Sequence, residues 1–367
     1  MTSNERRQLA DTTEQIRADF SGALTEGLRA AAESSEPGHL LAATSMLLSI
    51  AEAGSDPSTS SATLVRGLCA WNRPECSAGA LAMATMIGEG GLVREVRRDA
   101  ANRGFLLPRW LVTLHRAEPV ARAVELTTVF RSVDELVVGV TVPGGHRLTA
   151  LVVIDNEAGF RVVDGGVSDR PLDAVVSAVL EGSGADLRVQ DVAPADARAR
   201  LAYALRDPDL DVLSGRSTPW SQVRPLVRWL VSRLPDGGNA AVHRVGDDID
   251  LDDAVDEFLA SPWGRPWVRG SLPELVEAVL GDGLGNGLGD PLLWAPHHVG
   301  RLLDPDSSAL DHDLLDTGRA PELLRDVIRY GHAERGLRPK LTDDALAAVD
   351  RCAGRYLAAV RAWADDG

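Results

Sequence analysis

Residues 124–163 carry four short runs of β-branched residues separated by turn residues. In the first run, apolar and polar residues alternate from Val124, with Glu125 and Thr127 on the polar side, which predicts a strand with one apolar and one solvated face. The second run, at 136–142, is apolar on both faces, as expected of a central strand. Together the runs predict an antiparallel meander.

The residues after the meander predict a cover for its apolar face. Five apolar residues recur there at helical spacing, and a short run beyond them alternates again, so we expect a helix and then a strand that pairs with an edge of the sheet. The helix is indicated by Leu172, Val175, Val176, Val179 and Leu180, and the strand by Leu187, Val189 and Val192.

Helical periodicity dominates on both sides of the sheet. The first helix is indicated by apolar residues along one face, namely Leu9, Ile16, Phe20, Leu24 and Leu28. The sequence therefore predicts an α+β protein with a helical N-terminal region at 1–105, a central antiparallel β-meander with covering helices at 106–192, and a mainly helical C-terminal region at 193–367.

Two details of the C-terminal region follow from local chemistry. The glycine run at 281–289 is expected to form a flexible loop, because repeated glycine leaves the backbone free. Thr342 is expected to be the N-cap of the last helix, since Asp343 and Asp344 would then lie at the positive end of its dipole.

Charge and cysteine content limit the partners and the compartment. A formal net charge of -16 argues against nucleic acid and against anionic membranes, both of which require a basic surface. The three cysteines, Cys69, Cys76 and Cys352, are too few for a disulfide framework and fit a reducing compartment. The sequence has no apolar leader and no stretch of the roughly 18 apolar residues that a membrane helix needs, so we expect a cytoplasmic protein.

Several catalytic and metal-binding motifs are excluded. The only lysine, Lys340, follows no glycine-rich turn, which excludes the phosphate-binding loop and also argues against kinase and Schiff-base chemistry. Six residues separate Cys69 from Cys76, too many for a structural zinc site, and no calcium loop passes because Leu315 stands where the bidentate glutamate belongs. No dinucleotide-binding glycine motif, nucleophile elbow or H-E-x-x-H motif is present, so the sequence predicts neither cofactor nor metal.

One constellation remains as a candidate binding site. Trp294, His297 or His298, and Arg301 recur at spacings of three and four on a helix that we expect Pro296 to begin. An aromatic ring, an imidazole and a guanidinium on one helical face would suit an anion or a peptide. The structural alternative is an interfacial tryptophan with two histidines that are satisfied locally.

The same segment carries a resemblance to a known group of sequences. The residues that carry it are Asp290, Pro291, Leu292, Trp294, Pro296, Val299, Pro321, Leu324 and 328–337. They resemble the C-terminal module of a family of uncharacterised actinobacterial proteins, whose pattern is approximately P-L-x-W-S-P-x-x-V. Ala295 replaces the serine of that pattern, and 302–315 is acidic where the family has a basic run. The resemblance covers about the C-terminal two-thirds and implies no biochemical activity. Residues 107–111 and the meander are also similar to the middle part of that family.

Three functional hypotheses follow. The first is a cytosolic, non-catalytic binding or accessory protein that engages a protein partner or a small ligand. The second is a hydrolase or transferase of unfamiliar type that uses the two histidines or the carboxylates of Asp155 and Asp164 across a turn. The third is an acidic decoy or inhibitor that binds a basic protein through the acidic clusters at 207–211, 247–253 and 304–316.

Overall fold

The computed structural model describes residues 21–53, 60–157, 159–182, 186–206, 218–240, 249–285, 289–306, 310 and 315–366. The chain is an α+β protein, as the sequence predicts. It divides into two compact units. Unit 1 comprises Met1–Thr127, Asp134–Asp155 and Phe160–Ala241, and unit 2 comprises Thr128–Val133, Asn156–Gly159 and Val242–Gly367.

In unit 1, helices both precede and follow the strands of the sheet along the chain. Of the residues predicted to form the first helix, Leu9, Ile16 and Phe20 lie outside the described part of the chain, whereas Leu24 and Leu28 lie in a helix. The helices are α1 (21–33), α2 (Pro37–Ala53), α3 (Ser61–Ala70), α4 (Pro74–Ile87), α5 (Gly90–Asn102), α6 (Arg109–Val112), α7 (Leu172–Gly182), α8 (Pro194–Ala204) and α9 (Pro219–Val231). A short 3-10 turn, Leu114–Arg116, follows α6.

The sheet confirms the predicted antiparallel meander. In the described part of the chain it has six strands in the order β5-β4-β3-β2-β6, and β1 pairs with β3. Gly144 and Gly145, with φ of 100° and 86°, form the turn between β3 and β4, a conformation that favours glycine. The strands are β1 (Glu118–Pro119), β2 (Ala123–Thr128), β3 (Val133–Val142), β4 (His146–Asp155), β5 (Arg161–Ser168) and β6 (Leu187–Val192).

The predicted cover of the sheet is present. In α7, Leu172 and Val176 are buried together with Val124 and Leu126 of β2, and β6 pairs with β2 as expected. Leu180 does not join this core, because its side chain is 40% exposed.

The prediction of a solvated face on β2 is wrong. Glu125 and Thr127 are 1% and 5% exposed. Arg200 of α8 lies over these positions, and its Nη2 is 2.7 Å from Glu125 Oε1 and 3.0 Å from Asp134 Oδ2 of β3. The Thr127 hydroxyl donates to Asp134 at 2.6 Å. The polar side chains of β2 therefore belong to a buried network of charged residues, which provides their hydrogen-bond partners.

Unit 2 has its own apolar core. Trp267, Trp294 and Tyr356 are among its fully buried side chains. Its helices are α10 (Leu251–Ala260), α11 (Leu272–Gly285), α12 (Pro296–Leu302), α13 (Ala320–Glu334) and α14 (Pro339–Asp366), with 3-10 turns at Arg265–Trp267 and Thr317–Arg319. No helix in the described part of either unit is both long enough and apolar enough to cross a membrane.

Two local predictions in unit 2 are wrong. The glycine run does not begin as a loop, because α11 continues to Gly285, while 286–288 lie outside the described residues. A Cβ on Gly283 would come within 3.0 Å of the Trp294 ring, so close packing explains this helical glycine. Thr342 is not an N-cap, because α14 begins at Pro339, and its hydroxyl instead hydrogen-bonds with His332 Nδ1 at 3.1 Å.

Candidate metal centre

Glu157 lies in the turn between β4 and β5, in a segment that belongs to unit 2. The preceding residue, Asn156, is 1% exposed and fixes this turn. Its backbone N–H donates to the Ser132 carbonyl at 2.9 Å, and its side-chain amide donates to the Arg131 carbonyl at 2.8 Å. These two hydrogen bonds of Asn156 therefore fix the backbone directly before Glu157.

His297 and His298 lie in the first turn of α12. Pro296 occupies the first helical turn, where its missing N–H costs no hydrogen bond, so the predicted helix start is confirmed. Nδ1 of His298 accepts the Ala295 backbone N–H at 3.4 Å. This contact orients the ring and leaves Nε2 to carry the proton and point away from the helix.

Both imidazoles meet one carboxylate oxygen. Glu157 Oε1 lies 2.8 Å from His297 Nε2 and 2.6 Å from His298 Nε2. The centroids of the two rings are 4.1 Å apart. The other oxygen, Oε2, faces Arg301, whose Nη1 is 3.8 Å away. Residues 140 and 141 positions apart in the chain thus form one compact cluster.

The electrostatics of the cluster favour the carboxylate anion. Burial alone would raise the pKa of Glu157, but hydrogen bonds and charge from the two histidines outweigh burial and hold this pKa well below its ordinary value. The Glu157 side chain is 15% exposed and that of His298 is 7% exposed, whereas that of His297 is 52% exposed. The cluster is accordingly an ionised, largely buried group with one side that solvent can reach.

The donor atoms suit a transition-metal ion. Two imidazole nitrogens and one carboxylate oxygen all lie within 4.8 Å of one another. Zn²⁺ bonds such atoms at about 2.0–2.2 Å, so neighbouring ligands around it stand about 3.3 Å apart. The present separations of 2.6 and 2.8 Å are those of hydrogen bonds. An ion would therefore replace the two shared protons and move the ligands outward by roughly 0.5 Å.

The sequence-predicted site residues separate into two groups. The structure brings His297, His298 and Arg301 together, but it places Trp294 in the core of unit 2 at 1% exposure. The Nε1 of Trp294 donates to the Pro291 carbonyl at 2.9 Å. Glu157 was not a candidate from sequence, since nothing in the spacing of a turn glutamate relates it to a helix so far along the chain.

The carboxylates proposed as an acid and base pair do not oppose one another. In the β4–β5 register, Asp155 pairs with Arg161 and Asp164 pairs with Val153. Oδ1 of Asp164 accepts the neighbouring Gly165 N–H at 2.8 Å. The prediction that these two residues face each other across the turn is therefore wrong, and Asp164 has the local bond that a turn aspartate commonly makes.

His332 is a second histidine environment in unit 2. It is 1% exposed, and its ring centroid lies 5.9 Å from that of Phe130. Burial lowers the pKa of His332 to about 4, although a hydrogen bond with the Trp294 backbone opposes part of that shift. His332 is therefore neutral in the folded protein across a range in which an unfolded histidine takes up a proton.

This difference predicts acid sensitivity. Between pH 6.5, the ordinary pKa, and about 4, unfolding binds a proton, so stability is complete above this range and falls on acidification. The slope contributed is about 1.4 kcal/mol per pH unit at most. Denaturant unfolding of the wild type and of His332→Gln at several pH values measures it, and the variant should lose this slope. The exposed-histidine variant His39→Gln should retain it, and equal slopes in all three proteins would contradict the assignment.

A comparison with protein-family models, with curated proteins and with solved structures found no match to this chain. The resemblance of the Asp290 to Val299 segment to actinobacterial sequences therefore stays a prediction. The geometry of the described residues is what supports the function proposed next.

Proposed function

We propose that this chain is a cytoplasmic, non-catalytic binding protein whose ligand is a divalent transition-metal ion held by Glu157, His297 and His298. The observation that supports the proposal is the convergence of both Nε2 atoms on one carboxylate oxygen, at 2.8 and 2.6 Å. Imidazole and carboxylate together are a donor set common to zinc and its first-row neighbours.

Glu157 Oε1, the oxygen that faces the two histidines, is suited to bind a metal ion. Arg301 faces Oε2, so Oε1 is the oxygen directed to the two rings and Glu157 would bind an ion through one oxygen. The carboxylate is already ionised, because its pKa is depressed. A neutral imidazole binds metal by shifting its Nε2 proton to Nδ1, whereas a protonated ring must first lose a proton, so affinity should fall where the two rings become protonated.

The competing explanation is a hydrogen-bonded structural contact without metal. The hydrogen bond from the Ala295 N–H to His298 Nδ1, at 3.4 Å, favours this explanation. A metal ion on Nε2 would break that bond, because the ring proton would move to Nδ1. A bound ion would have to offset that loss, which is about 1 kcal/mol.

The test is calorimetric titration of the metal-free full chain with ZnCl₂ at pH 7.5. One ion per chain is expected, and His298→Gln should weaken binding at least about tenfold, because it removes a ligand. His297→Gln should weaken zinc binding to a similar extent. It serves as a second variant because the His297 side chain is 52% exposed, so its replacement should not impair folding. Binding should weaken at pH 5.5, where protons compete for the imidazoles.

A matched control is present in unit 1. His39 Nε2 lies 3.5 Å from Glu36 Oε2, which makes an exposed histidine and glutamate pair that, among the described residues, belongs to no group of three metal-binding side chains. His39→Gln should leave zinc affinity unchanged. Failure of the wild type to bind zinc, or equal affinity in wild type and in both cluster variants, would reject the proposal. Magnesium should not compete, because it prefers an all-oxygen octahedron.

The other functional hypotheses have less support. The pairing of Asp155 with Arg161 removes the two carboxylates that the hydrolase hypothesis used. Of the acidic clusters proposed to bind a basic protein, 207–211 lies outside the described residues, and Asp306 of the last cluster is paired with Arg355 at 2.5 Å. The net charge of -16 still argues against a nucleic-acid partner.

A further inference from the structure

A cavity of about 510 Å³ lies in unit 1, far along the chain from the histidine cluster. It is lined by Arg109, Trp110, Thr113, Arg116, Pro143, Gly144 and His146. This volume falls within the range of about 300–1,000 Å³ that holds small organic ligands. None of these described lining residues is acidic, although the whole chain carries a net charge of -16.

The part of the chain that the structure describes supplies no counter-ion to the two arginines of the cavity. Among the described residues, no carboxylate oxygen lies within 4.0 Å of the guanidinium of Arg109 or Arg116. Other described arginines do have such partners, as the pair of Arg66 with Glu95 and that of Arg122 with Asp173 illustrate. Two unpaired guanidinium groups at one concave surface leave several hydrogen-bond donors for an external anion.

The surroundings add positive charge. Arg97 and Arg233 contact the neighbouring 3-10 turn, where Arg97 bonds His115 Nδ1 at 3.2 Å and Arg233 bonds the His115 carbonyl at 3.5 Å. Burial lowers the pKa of His115 first, and the charges of Arg97, Arg116 and Arg233 lower it further. These arginines add positive charge beside the cavity, whereas Asp169 interacts electrostatically with His146 on its lining.

Local contacts hold two parts of the cavity wall in place. Gly144 has φ of 100°, and a Cβ there would lie 3.1 Å from the His146 ring, so glycine allows that ring to pack on the β3–β4 turn. The Thr113 hydroxyl donates to the Arg109 carbonyl at 2.9 Å, which ties the end of the short helix to its start. Trp110 also lines the cavity and is half-buried against the core of unit 1, so the lining includes an aromatic side chain of the kind on which a planar ring can stack.

We propose that this cavity binds a small phosphorylated molecule with a planar ring, of the size and chemistry of a nucleotide. The phosphate would be bound by Arg109 and Arg116, which donate in a fork that matches its oxygens. The ring would stack on Trp110, and His146 would donate a hydrogen bond from the opposite wall. This site is independent of the metal proposal, since it uses no residue of unit 2.

The experiment is titration of the full chain with adenosine 5′-monophosphate, adenosine and inorganic phosphate in separate arms. The monophosphate should bind at least about tenfold more tightly than either fragment, because it makes both the charged and the stacking contacts. Arg109→Gln and Arg116→Gln should each weaken its binding about tenfold, and raising the salt concentration should weaken it further. Both side chains are exposed, so the variants should fold.

Arg147→Gln provides the matched control. It removes one exposed arginine of the neighbouring strand that does not line the cavity, and it should change affinity less than about twofold. Equal affinity for adenosine and its monophosphate, binding that the two cavity variants leave intact, or the absence of saturable binding of the monophosphate would overturn the proposal.

Discussion

Replacing Arg200 with alanine is expected to lower the free energy of unfolding by about 3–5 kcal/mol, because it leaves buried carboxylates without their cation. Arg200 is 9% exposed, while Glu125 and Asp134 are 1% and 0% exposed. One guanidinium nitrogen serves both carboxylates, at 2.7 and 3.0 Å. Gln190 also donates to Glu125, and Thr127 donates to Asp134. These bonds hold both carboxylates where Arg200 binds them, and the variant has no cation at that position.

Urea unfolding monitored by circular dichroism measures this effect, and a second arginine of the same helix provides the comparison. Arg198 Nη2 lies 2.7 Å from Asp236, whose side chain is 85% exposed. Water screens such a pair, so its loss in Arg198→Ala should cost about 1 kcal/mol or less, and the lost bond from Arg198 Nη1 to the Leu234 carbonyl should add about 1 kcal/mol. If the two variants unfolded at the same urea concentration, the network would contribute no more than a surface pair.

The network also shows where sequence reasoning ended. The alternation in β2 was evident, and alternation ordinarily means that polar residues face water. What reversed the outcome for Glu125 was an arginine 75 residues further along the chain. In a chain with 37 arginines and one lysine, nothing in the local pattern distinguishes Arg200 from the others. The strand was predictable from its period, but the partner of its polar face was not.

The same limit applies to the candidate metal centre. The helix and its His297, His298 and Arg301 face were predictable, because Pro296 marks the start and the spacing is local. Glu157 is brought to them by the β4–β5 turn, and a turn glutamate has no periodicity that points to a distant helix. A helical spacing rule groups Trp294 with these residues, whereas Trp294 precedes the helix and is directed into the core.

Replacing Trp294 with alanine is therefore expected to destabilise the protein by about 3–5 kcal/mol, as the loss of a large buried aromatic side chain does. The indole is 1% exposed, its Nε1 bonds the Pro291 carbonyl at 2.9 Å, and its ring lies so close to α11 that a Cβ on Gly283 would approach it within 3.0 Å. Such a site has little room to collapse, so most of the cavity created should persist.

Thermal unfolding of Trp294→Ala should be compared with that of Trp71→Ala, since Trp71 is 37% exposed and should cost much less. Because Glu157, His297 and His298 are unchanged in Trp294→Ala, the folded fraction at low temperature should still bind one zinc ion. A variant with unchanged stability but lost ligand binding would instead make Trp294 a binding residue. The opposite pattern, a large loss of stability with zinc affinity retained, is expected because the Trp294 ring is part of the core of unit 2, whereas the proposed metal ligands are Glu157, His297 and His298.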